Sequence, residues 1–126
     1  MSNEHRIALT VPAEPELARL VRMTASNAAL LSSMSVERVE DIRMAAEEAF
    51  IFACSARAGE PVQIAFAVDP EQVALELALG CDEFPEADPD DPTADYADLI
   101  LGSVCDSYTK LEHPAALELV LKADVA

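Results

Sequence analysis

Val36-Glu37-Arg38-Val39-Glu40-Asp41-Ile42-Arg43-Met44-Ala45-Ala46-Glu47-Glu48-Ala49-Phe50-Ile51-Phe52-Ala53-Cys54-Ser55-Ala56-Arg57-Ala58-Gly59 reads as one long helix. Val39, Ile42, Ala46, Ala49 and Ala53 recur at 3,4 spacing, and the small side chains suit close packing against a neighbour. Ser35 stands where an N-cap hydroxyl is wanted, Glu37 suits the positive end of the helix dipole, and Gly59 fits the C′ position after Ala58. Upstream, a second helical pattern runs from about Pro15 to Leu31, with Leu17, Leu20, Val21, Thr24, Ala28 and Leu31 as its expected buried stripe.

Strand patterns flank this helical pair. Ile7, Leu9 and Val11 alternate in residues 5–11. After Gly59, residues 62–68 and 73–79 form an expected hairpin across Asp69-Pro70-Glu71-Gln72. A third helix is expected over about Ala94–Asp106, with Thr93 as its cap and Tyr96, Leu99, Ile100, Ser103 and Val104 on one face. Residues 107–112 and 115–123 close the chain as a second hairpin through His113-Pro114. The order β-α-α-β-β-α-β-β predicts an α+β fold: a two-layer α/β sandwich with a mostly antiparallel sheet and three helices on one face. With 126 residues and no internal repeat, 1–126 is read as a single domain.

Charge is distributed unevenly. The chain carries 24 acidic and 8 basic residues, a formal net charge of −16. Residues 1–59 hold 8 acids against 6 arginines, whereas residues 60–126 hold 16 acids against 2 lysines. Such a field disfavours nucleic acid and anionic membranes as partners. At 52% hydrophobic content the chain is not a disordered acidic tail. No apolar run approaches the ~18 residues of a membrane span, and the N-terminus lacks a secretory pattern, so a cytoplasmic location is expected. Cys54, Cys81 and Cys105 share no CxxC spacing and are read as reduced thiols. His5 and His113 lie at opposite ends of the sequence, so no metal site is expected and no Cys–His nucleophile stands out.

Eight acids fall between Asp82 and Asp98, and three prolines (Pro85, Pro89 and Pro92) make about 81–93 a loop. A calcium loop starting at Asp88 fails, with Pro92 at its fifth position, Thr93 at its sixth and Leu99 at its twelfth. Asp88, Asp90 and Asp91 remain as a solvated stretch or a partner surface. Arg19, Arg22, Arg38 and Arg43 form an opposing basic set on the first two helices, to be read as solvated salt bridges or as a surface for an acidic partner or a second copy.

The stretch Asp41-Ile42-Arg43-Met44-Ala45-Ala46-Glu47-Glu48-Ala49 resembles the N-box helix of GHKL-type ATPases (the histidine-kinase-like ATPase fold), in the branch of bacterial anti-sigma-factor serine kinases. The opening strand, Ala13-Glu14-Pro15-Glu16, the arginine-bearing first helix and the strand pair after Gly59 are also similar. The resemblance covers about residues 5–80 well and the rest loosely.

It implies a catalytic Glu at Glu48, relic or active, set against the plainer reading of an ordinary helix-surface acid beside Glu47. The Mg²⁺-binding Asn of the family is replaced by Phe52, whose ring offers no oxygen to a hard cation. Phe52 is therefore expected to plug the nucleotide pocket, on the same helix face as Glu48. Asp82 aligns weakly with the adenine-reading Asp, but no glycine follows it in Glu83-Phe84. The phosphate-cradling glycines are absent from 89–101, and the acidic loop stands in place of the ATP lid. Two carboxylates ~4 Å from a phosphate, at an effective dielectric near ~20, cost several kcal/mol.

The resemblance thus implies a degenerate member of the family: a regulatory protein-binding module like an anti-sigma factor, acting by stoichiometric sequestration without a cofactor. Its partner would be a sigma factor or an anti-anti-sigma-like protein, with a homodimer as a further arrangement. Arg19, Arg22, Arg38, Asp88, Asp90 and Asp91 are the expected partner-binding residues. Two alternatives follow: an ATP/Mg-dependent serine protein kinase with an unusual pocket, and a small-molecule sensor using the vacated pocket.

Overall fold

The structure, a computed structural model, describes residues 4–125. Strand β1 (His5–Pro12) leads through a 3₁₀ turn at Pro15–Leu17 into α1 (Ala18–Ala29) and α2 (Val36–Ala56). Then come β2 (Pro61–Asp69), β3 (Gln72–Ala78), α3 (Thr93–Val104), β4 (Ser107–Leu111) and β5 (Ala116–Lys122). The strands form one sheet in the order β1-β2-β3-β5-β4, with every neighbouring pair antiparallel. The α+β order expected from sequence is present, and the sheet is antiparallel throughout.

Period-2 alternation sets which face is buried. One cross-strand row runs Leu9, Ile64, Leu77, Leu117, and the next runs Ile7, Phe66, Leu75, Leu119. These rows meet α1 and α2 in one core cluster with Val21, Ile42 and Phe50. The opposite face carries Ala8, Ala65, Glu76 and Glu118 in register, all four exposed. No helix among the described residues is long and apolar enough to cross a membrane.

Ser35 caps α2 as expected, its hydroxyl accepting the Arg38 N–H at 3.1 Å. The same hydroxyl donates to Asp124, which also accepts the Ser35 N–H at 2.8 Å, so the C-terminal segment is tied to the start of α2. These bonds hold the Asp124 carboxyl below the usual carboxylate range. α2 ends at Ala56, two residues before the expected end, with Arg57 as its cap. Gly59 takes φ +78°, and its N–H donates to Ala13 O at 2.9 Å, turning the chain back beside β1.

Two helix faces differ from expectation. α1 buries Ala18, Val21, Ala25, Ala28 and Ala29, while Leu20 and Leu31 point outward. α3 buries Ala97 and Leu101, leaving Tyr96 and Leu99 exposed. The cause in α1 is the alanine face of α2 (Ala45, Ala46, Ala49 and Ala53), all fully buried. Two alanine surfaces approach more closely than leucines would permit, and the larger side chains are turned out. Thr93 does not cap α3; it is the first helical residue, and Asp91 accepts its N–H at 3.0 Å.

Candidate functional site

A cavity of about 280 Å³ lies between the C-terminal half of α2, the 84–91 loop, the start of α3 and β4. Phe52, Ser55 and Ala56 line it from α2, Phe84 to Asp88 and Asp91 from the loop, Ala94 from α3 and Lys110 from β4. Phe52 is 6% exposed and meets Phe84 edge-on, with ring centroids 5.9 Å apart. The Lys110 ammonium sits 4.9 Å from the Phe52 centroid and 5.9 Å from that of Phe84. It also pairs with Asp98 at 2.9 Å, and Asp98 accepts the Tyr108 hydroxyl. Burial, then the Asp98 contact, raises the Tyr108 pKa well above its ordinary value.

The acidic loop is tethered rather than free. Asp91 accepts from Ser55 Oγ at 2.7 Å and from both the backbone and the hydroxyl of Thr93, so it joins the loop to α2 and α3. Those hydrogen bonds, the Thr93 hydroxyl first, hold its carboxyl below the usual range. Asp91 therefore faces inward, whereas Asp88 and Asp90 are exposed. Asp88 also shapes the loop, accepting the Asp90 N–H at 2.9 Å.

The expected pairing of Glu48 with Phe52 toward one pocket is not found, because Phe52 lines the cavity and Glu48 does not. Glu48 is half-buried, and desolvation, then the neighbouring Glu47 charge, raises its pKa. Asp82 also lies outside the cavity, where its carboxylate meets His113 Nδ1 at 2.8 Å. Neither Cys54 nor Cys105 is poised as a nucleophile: burial pushes each thiol up to about 11. Cys81 donates to Glu83 O at 3.3 Å.

The four arginines separate into different roles. Arg38, expected on a partner surface, is turned inward, with its side chain only 15% exposed. It binds Asp41 at 3.1 Å, Asp106, Lys122 O at 2.8 Å and Val104 O at 3.3 Å. A guanidinium so engaged fastens α2 to α3 and β5 and is not available to a partner. Arg22 pairs with Glu47 across α1 and α2 at 3.1 Å, and Arg43 pairs with Glu40 at 2.9 Å. Arg19 is exposed on α1.

Beside Arg19, Leu20, Met23, Leu30 and Leu31 are 47%, 51%, 70% and 46% exposed. Leu20 and Met23, three apart, share one side of α1, and Leu30 and Leu31 follow directly after its end, in the C-cap and the turn. Sequence reasoning assigned Leu20 and Leu31 to the core and so missed this surface. An excess of large apolar residues over one stripe's worth was the available signal. No protein-family model matches the chain, and no curated protein matches it.

Proposed function

We propose that this chain is a regulatory protein-binding module of the anti-sigma-factor type, built on a degenerate GHKL fold and acting by stoichiometric sequestration. The observation that carries the reading is the set of exposed apolar side chains Leu20 and Met23 on α1 with Leu30 and Leu31 just beyond its end. Large apolar side chains exposed near one another in sequence on a highly charged protein are a feature of docking faces. The acidic second half supplies steering toward a basic partner, such as the DNA-binding surface of a sigma factor. Loss of nucleotide chemistry is supported by Phe52 in place of a Mg²⁺ ligand and by the carboxylates of Asp88 and Asp91 at the cavity.

The test is affinity capture from the native host, run in parallel with wild type and with Leu20→Asp/Met23→Asp/Leu30→Asp. One protein recovered near 1:1 with wild type and lost with the triple variant supports the reading. Equal recovery by both chains contradicts it. Light scattering on the purified chains shows whether the partner at these side chains is a second copy.

The cavity beside Phe52 favours one second reading, a small-molecule sensor. At about 280 Å³ it falls just below the usual range of ligand pockets. Under this reading, apolar fragments raise the melting temperature of wild type but not of Ala94→Leu, which fills the cavity.

A further inference from the structure

His113 and Asp82 lie 31 positions apart, yet the fold brings them together. The segment after β3 is laced to the β4–β5 turn along its length. Leu79 N–H donates to Ala115 O at 3.1 Å, Ala115 N–H to Cys81 O at 2.9 Å and His113 N–H to Asp82 O at 2.7 Å. Phe84 N–H donates to Glu112 Oε2 at 2.9 Å. These main-chain bonds position the side chains without using their metal-binding atoms. His113 takes φ 62° in the turn. Its Nδ1 lies 2.8 Å from Asp82 Oδ2, and its Nε2 lies 3.9 Å from Glu83 Oε1.

We propose that Asp82, Glu83 and His113 form a binding site for a first-row divalent transition-metal ion such as zinc. One ligand atom from each residue falls within 4.8 Å of the others. Ligands ~2.1 Å from a common tetrahedral ion stand ~3.4 Å apart, and one ion takes one ring nitrogen, so the exposed carboxylate that now faces the other nitrogen rotates to join it. The donor set selects the ion: imidazole nitrogen with two carboxylates suits zinc, whereas magnesium and calcium require all-oxygen shells. All three side chains are exposed, which leaves positions for water or a further ligand. Neutralising two carboxylates is favourable in a chain of net charge −16. Because Glu83 precedes Phe84, an ion here also anchors the loop that places Phe84 against Phe52. This inference stands apart from the protein-binding reading.

The experiment is calorimetric titration of the full chain with zinc chloride, in buffer containing magnesium. The expected result is one zinc per chain, bound at least ~10-fold more weakly by His113→Asn and by Glu83→Gln, and unchanged in Cys81→Ser. Asn is chosen because it accepts a positive φ. In NMR spectra the imidazole signals of His113 shift on zinc addition while those of His5 do not. Zinc bound equally by wild type and His113→Asn, no saturable zinc binding, or binding abolished by Cys81→Ser alone would each overturn the proposal.

Discussion

Arg38 reaches Asp41, Asp106 and the carbonyls of Val104 and Lys122, so one guanidinium joins α2, the end of α3 and β5. Arg38→Ala leaves Asp106 and two carbonyls without that donor and is expected to cost about 2–3 kcal/mol in urea denaturation. Arg38→Lys recovers only part, since an ammonium lacks the planar fork. Phe52→Ala opens the aromatic wall of the cavity and is expected to cost about 3 kcal/mol by the same measurement. Glu48 behaves differently. Its raised pKa means the folded state favours the protonated form, a contribution fully present below 4.5 and lost as pH rises through the folded value. Glu48→Gln is therefore expected to stabilise the protein at pH 7 by at most about 0.5 kcal/mol, with the gain vanishing in acid. The reach of Arg38 was not legible in sequence, where it looked like any arginine in a helical first turn. Its partners outside α2 lie 66 to 84 positions away.

At the scale of elements, α1 and α3 show what periodicity resolves and what it leaves open. Both helices and their order were readable from 3,4 spacing, but α1 is Ala18–Ala29 where Pro15–Leu31 was expected, and α3 is Thr93–Val104 where Ala94–Asp106 was expected. The rotation of each helix was not readable. Of the expected stripe of α1, Val21 and Ala28 are buried, whereas Leu20 and Leu31 are exposed and Ala18, Ala25 and Ala29 take core positions. Packing against the alanines of α2 accounts for the difference. A direct consequence is that Leu20→Asp and Leu30→Asp should each change folding stability by no more than about 0.5 kcal/mol, as expected of exposed positions. Were these leucines core residues, the same substitutions would cost several kcal/mol, a difference that thermal denaturation resolves. The meeting of Asp82, Glu83 and His113 was also hidden, because a hairpin turn and a loop end came together only through sheet topology.

At the scale of the molecule, the charge of −16 is the dominant property. Repulsion among 24 acids opposes the compact state, and salt screens it. The melting temperature is expected to rise as sodium chloride increases from ~0.02 to ~0.5 M. A fall would mean that ion pairs such as Arg38–Asp106 outweigh the repulsion. The acidic loop, the Phe52 ring and the exposed Leu20, Met23, Leu30 and Leu31 are the features behind the proposed reading of a module that binds a protein and not nucleotide. Calorimetric titration of the full chain with Mg-ATP tests that reading most directly. The predicted result is no saturable binding up to millimolar nucleotide, whereas micromolar, magnesium-dependent binding would contradict it.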